Sequence, residues 1–267
     1  MNELLSNPAV QAGAAPFVAA LVVALALQPL RLGGLAVTAA FLVAMQLVSG
    51  IQFSPLTATR KLVLLAIAAP LVGVVADFAF KPTRLGAMVL ALLAAAGALW
   101  AFEPVLVQRP AAEAWLLGAA AAIALAFMVG FAQTFLAADA VRAGAAALAL
   151  GLGAGVAAIF SASAAYGSYG IALGAGAGAF LLPQMITGRR SFAGATFTLP
   201  AMLTGGLVAV GAMLLAKLPW YALLVLAAVP LAVRLPGPER APVWLQAVIF
   251  SLYGFAVAGF ACFLAWP

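Results

Sequence analysis

The sequence predicts an all-α, polytopic transmembrane helix bundle of about ten helices joined by short loops. Three observations carry this prediction. Of the 267 residues, 67% are hydrophobic and only 7% are charged, against about 25% charged in an ordinary soluble domain. The mean hydropathy is +1.23. Even large soluble folds bury only about 75% of the surface their chain exposes, so water is an unsuitable solvent for this one. Finally, the charges fall singly or in pairs between apolar runs of roughly 20 residues, the length that crosses a bilayer. The runs are apolar all round, whereas a transmembrane barrel alternates.

The helices follow from the punctuation between them. The opening MNELLSNPAVQAGAAP carries Glu3 and no cation. A cleaved secretory signal has a positive stretch ahead of its apolar core, so the first run is expected to remain as a helix over 12–30. Arg31 and the Gly33-Gly34 pair separate it from 33–50. Arg60-Lys61 opens 61–80, and Lys81 and Arg84 divide that run from 85–102. Arg109-Pro110 precedes 114–136, and Asp139 and Arg142 precede 143–162. From Arg142 to Arg189 lie 46 uncharged residues, too many for one crossing. AYGSYG (165–170) is the expected turn, with the next helix at 168–187. Arg189-Arg190 leads into 194–215, Lys217 into a short 218–234, and Arg234 and Arg240 into 243–265.

No connection is long enough for a soluble domain, so 1–267 reads as a single integral membrane domain. Division into 1–138 and 139–267 would give two five-helix halves of opposite topology, a common transporter plan. Connections on the side opposite the N-terminus carry eight cations and those on the N-terminal side carry four. The positive-inside rule then puts both termini outside the cytoplasm of a bacterial-type inner membrane. Arg60-Lys61 is discordant with that orientation.

Composition also excludes functions. The net charge is +6, but the cations sit at helix ends, a topology signal and not a phosphate-binding face, so no nucleic-acid partner is expected. The chain has no histidine, which removes the usual haem and zinc ligand and the usual general base. Ser–His and HExxH proteolysis fail with it. There is no Walker lysine motif and no recognisable aspartate pair. The lone Cys262 cannot close an internal disulfide. No enzyme activity, cofactor or metal is expected.

Gly170, Gly174 and Gly178 recur every four residues and stack on one helix face. Gly151 and Gly155 repeat the spacing on the helix before. Such faces let backbones approach closely in lipid, or else form the smooth wall of a substrate path. Ser161, Ser163, Tyr166, Ser168 and Tyr169 precede them, as caps and interface anchors or as a gate. Asp77 is the one acid set well inside a span, and intramembrane acids are functional candidates by default. Lys81, four residues on, is its expected ion-pair partner if it does not couple a proton or cation. Gln133, Gln184 and Gln246 fall on three helices at the same end as Asp77. With Pro70, Pro183, Pro200 and Pro230 interrupting helices, these residues suit a polar vestibule, or simple interhelical hydrogen bonding.

Length and helix count resemble the drug/metabolite transporter superfamily, although the outward termini and the lack of a shared motif differ from it. LGAGAGAFLLPQMITGRRSFAGATFTL (173–199) is similar to the glycine-rich motif of TauE/SafE-type exporters over a tenth of the chain, without the second copy such a family carries. Neither resemblance is adopted. The expected function is secondary transport of a small solute. The alternative is a non-catalytic structural or assembly subunit of a larger membrane complex. Expected partners are the lipid bilayer, a solute or coupling ion of unstated identity, and a second copy or a membrane-complex subunit.

Overall fold

A computed structural model describes residues 7–238 and 240–266. They form ten helices and, among the described residues, no strand: α1 (Val10–Leu30), α2 (Gly33–Val48), α3 (Ala58–Ala79), α4 (Arg84–Leu106), α5 (Ala111–Phe135), α6 (Ala140–Phe160), α7 (Ala164–Thr187), α8 (Gly194–Leu215), α9 (Trp220–Val233) and α10 (Val243–Leu264). Eight are long and apolar enough to cross a membrane, and α2 and α9 are shorter. The chain is an all-α polytopic integral membrane protein. Apolar side chains such as Val18, Leu92, Leu116 and Phe263 remain exposed on the outer helices, as lipid requires.

Contacts between loops sort the helix ends into two faces. Tyr169 meets Ser49, Arg109 meets Leu214, and the Lys217 amide meets Ser161 on the face that holds the start of α1 and the end of α10. Gln28 meets Ser191, Asp77 meets Thr196, and Arg142 meets Val233 on the other. The helices therefore alternate up and down through all ten. The second face carries Arg31, Lys81, Arg84, Arg142, Arg189, Arg190, Arg234 and Arg240. It is called the arginine face below, and its opposite the terminal face.

α8 is the axis of the bundle. Every residue from Gly194 to Leu214 is buried, walled chiefly by α3, α5 and α6, with α7, α4, α2 and α9 completing the ring. A helix buried on all sides must be apolar on all sides. α8 is so except at Thr196, Thr198 and Thr204. Glycines on the walls bring neighbours close. A Cβ on Gly73 would lie 2.6 Å from the Ala195 carbonyl oxygen, and one on Gly34 2.7 Å from Phe197 Cβ.

The α6/α7 hairpin is the closest helix pair. A Cβ on Gly155 would lie 2.7 Å from the Ile171 nitrogen and 2.9 Å from the Gly167 carbonyl oxygen, and Gly151 faces Gly174 in the same way. Gly151, Gly155, Gly170 and Gly174 thus form the expected packing seam. Gly178 does not join it. A Cβ there would meet only Leu148 Cδ1 at 3.8 Å and Phe17 Cε2 at 4.0 Å, ordinary contact distances, and residues of α1 and α10 flank a gap beside it.

The hairpin turn also differs from expectation. The chain turns at Ser161–Ser163, with Ala162 left-handed at φ 66°, and AYGSYG lies inside α7. Its glycines are used for packing: Gly167 on Ile159 and Gly170 on Gly155.

Candidate functional site

The N-terminus of α8 lies inside the protein at the arginine face, where its first amides cannot reach bulk water. Their partners come from other helices. Asp77, near the end of α3, accepts from the Ala195 amide (2.8 Å), the Thr196 amide (2.7 Å) and the Thr196 hydroxyl (2.7 Å). The Gly194 amide donates to the Ala137 carbonyl at 3.0 Å. A carboxylate at a buried helix N-terminus answers both the unpaired amides and the positive end of the dipole. Gly194 is required twice over. Its φ is +58°, and a Cβ would collide with the Asp77 carboxylate.

This arrangement replaces the expected Asp77–Lys81 pair. α3 ends at Ala79 and Phe80 is extended (φ −129°, ψ 152°), so the helical register that would bring Lys81 one turn above Asp77 is broken. One turn into α8, Thr198 accepts from Gln133 Nε2 of α5 at 3.0 Å and donates to the Gly194 carbonyl at 2.7 Å. Asp77 and Gln133 therefore converge on the same helix end from opposite walls.

Gln184 and Gln246 form a second group, beside the segment 188–193. Fully buried Gln184 donates to the Phe180 carbonyl at 3.0 Å and accepts from the Ser191 amide at 3.1 Å. Gln246 accepts from Arg190 at 2.7 Å and donates to the Ala241 carbonyl at 2.7 Å. Gln28 of α1 donates to the Ser191 hydroxyl at 3.2 Å. The segment is thus tied to α1, α7 and α10, and it leads straight into α8. All four polar candidates lie at the arginine face, in two adjoining groups.

Several functional-looking residues stood out less in the sequence. Arg142 is 4% exposed. It donates to the Val233 and Leu235 carbonyls at 2.8 and 3.0 Å, pairs with Asp139 at 3.3 Å, and lies over the Phe250 ring at 4.0 Å. It thereby closes the C-terminal end of α9. Asp139 also caps α6 through the Val141 and Arg142 amides. The spacing of Asp139 three residues before Arg142, ahead of an apolar run, was the readable signal for that cap.

At the terminal face the charges follow the same logic. Arg109 donates to the Leu214 carbonyl at 3.0 Å while paired with Glu113 at 2.6 Å. A cation thus meets the negative end of α8, as an anion meets its positive end. Lys61 is 6% exposed and donates to the Trp100 carbonyl at 2.8 Å. Trp100 lies four residues before Pro104, whose missing N–H leaves that carbonyl without its helical donor. Arg60 ties the 49–57 loop through the Pro55 carbonyl and Gln52. Tyr166 and Tyr169 are buried side by side. Their hydroxyls meet Thr59 at 3.3 Å and Ser49 at 2.8 Å, and the Tyr166 ring packs on Gly211 of α8.

The chemistry of the arrangement is that of hydrogen-bond donors, acceptors and dipole ends, with a charged group of opposite sign at each end of one enclosed helix. No protein-family model matches this chain, and neither the curated proteins nor the solved structures contain a match to it.

Proposed function

We propose that this integral membrane protein is a non-enzymatic secondary transporter of a small solute, with α8 as the element around which its two faces open in turn. The observation that carries this reading is the pair of latches on α8: Asp77 from α3 at one end and Arg109 from the α4–α5 connection at the other. Each latch joins the central helix to a different wall at a different face, so each face can loosen without the other. Pro200 and the Gly205-Gly206 pair divide α8 between the latches, where a helix bends most readily. Thr198 with Gln133, and Tyr166 with Thr59, supply hydroxyl and amide groups next to each latch.

The orientation proposed is arginine face to the cytoplasm and both termini outside, in a bacterial-type cytoplasmic membrane. The discordant terminal-face cations have local duties. Arg60, Lys61 and Arg109 each serve a backbone carbonyl, which accounts for them without a topological role.

Accessibility of Thr204, mid-way along α8 and 2% exposed, tests the reading without knowledge of the solute. Thr204→Cys is made in a Cys262→Ala background and treated with a membrane-impermeant maleimide in proteoliposomes. A transporter lets the thiol react from either face as the walls part. A thiol inert from both faces, beside a reactive Gln52→Cys control, rejects transport. That outcome favours the second reading, a non-catalytic subunit of a larger membrane complex, which the mutual satisfaction of Asp77, Gln133, Gln184 and Gln246 within the chain also suits.

A further inference from the structure

The gap at Gly178 opens onto a groove of about 320 Å³, at the lower end of the roughly 300–1,000 Å³ range of ligand pockets. Phe17 of α1, Leu148 of α6, Gly178 and Leu182 of α7, and Val248 and Phe255 of α10 line it. It runs from mid-bilayer toward the arginine face along the second half of α7 and the first half of α10. Its lining is almost wholly hydrocarbon, and its outer wall is exposed, with Leu252 60% accessible.

What distinguishes the groove from the rest of the lipid-facing surface is its end. The segment 188–193 follows α7 just beyond Met185 of the groove wall, bonded to α1 through Gln28–Ser191 and to α10 through Arg190–Gln246. Gln246 immediately precedes Ala247, itself in the groove wall. Arg190 is therefore tied to α10 one residue from the groove wall, half exposed and paired with Asp139 only at 3.7 Å. Arg189 beside it is exposed and has no carboxylate within ion-pair distance among the described residues. Arg31 follows the end of α1 and Arg240 precedes the start of α10 on the same face.

We propose that this groove is a binding site for one anionic phospholipid, with an acyl chain lying along Gly178 and the phosphate at Arg189 and Arg190. An apolar slot with two guanidinium groups at its membrane-surface end matches both parts of such a molecule. A zwitterionic lipid brings the same phosphate with a cation beside it, so the two guanidinium groups favour a lipid of net negative charge. The site also gives Gly178 a role that helix packing does not, since a side chain there would fill the slot without striking the neighbouring backbone. The inference stands independently of transport.

The test is native mass spectrometry of the detergent-solubilised protein after exchange into an equimolar mixture of phosphatidylglycerol and phosphatidylcholine. The expected result is one retained phosphatidylglycerol per chain. Gly178→Leu should lower that adduct at least tenfold, Arg189→Gln should remove the preference over phosphatidylcholine, and Gly259→Leu, on an open stretch of α10, should change nothing. Leu252→Trp fills the slot from its exposed wall and serves if Gly178→Leu is poorly folded. Equal retention of the two lipids by the wild type, or an adduct unchanged in both groove variants, would overturn the proposal. So would a dimer that dissociates on Gly178→Leu, which would assign the groove to a second copy of the chain.

Discussion

Replacing Asp77 by Asn should destabilise the protein before it does anything else. The carboxylate accepts three hydrogen bonds of 2.7–2.8 Å from the first turn of α8. Asparagine keeps one acceptor oxygen, so the Ala195 amide stays paired, whereas the Thr196 amide faces an NH₂ group. Bonds to charged groups contribute about 1.5–3 kcal/mol each, and an unpaired buried donor costs about 1–3 kcal/mol. The lost charge at a partly buried helix end adds up to about 2 kcal/mol. Allowing for relaxation of the Thr196 hydroxyl, Asp77→Asn should cost about 2–4 kcal/mol, and Asp77→Ala more. The assay is equilibrium denaturation in detergent micelles, followed by tryptophan fluorescence. Thr196→Val should cost less alone, and in the double variant the two losses should not add, because they share a partner. A carboxylate serving only to carry a coupling proton would leave the fold intact as Asn. Stability within about 0.5 kcal/mol of wild type, the range of surface substitutions, would refute the capping account.

Other perturbations follow from the same geometry. Lys61→Met should lose about 1–3 kcal/mol by abandoning the Trp100 carbonyl. Pro104→Ala, which restores the helical donor to that carbonyl, should recover most of the loss in the double variant, measured by thermal unfolding. Gly155→Ala should be more damaging than Gly174→Ala, since its Cβ meets only backbone, from 2.7 Å, whereas the Gly174 Cβ meets the Leu152 side chain first and backbone only at 3.1 Å. Gly118→Ala, with contacts only at 3.6 Å, should be neutral or gain up to about 1 kcal/mol from helix propensity. Matching melting temperatures for the three glycine variants would contradict the seam. Arg142→Met should cost about 3–5 kcal/mol, the penalty for breaking a buried pair, with Asp139 and two carbonyls left behind. An unshifted denaturation midpoint would show that Arg142 is dispensable.

The ten helices were legible because most charges gather between the apolar runs, and lipid leaves those runs no alternative to helix. The shared face of Asp77, Gln133, Gln184 and Gln246 was legible for the same reason, since counting crossings fixes which ends lie together. Their partners were not. Asp77 meets Thr196 from 119 positions away, and nothing local to Asp77 marks α8 as the buried axis, because its hydropathy resembles that of the outer helices. The α6/α7 turn was misplaced because glycine signals both turns and close packing. Here the packing seam claimed AYGSYG, while the left-handed residue of the turn is an alanine. Lys61 illustrates a partly legible case. Pro104 announces a free carbonyl at Trp100, but only the packing of α3 on α4 shows which side chain answers it.

The central claim is that α8 is an enclosed helix latched separately at its two faces by Asp77 and Arg109. Maleimide labelling of Thr204→Cys in latch variants tests it most directly. With Asp77→Ala, the rate of labelling from the arginine face should rise while that from the terminal face stays at the parent value. With Arg109→Gln, the pattern should reverse. Equal acceleration from both faces in either variant, or none in both, would contradict the account.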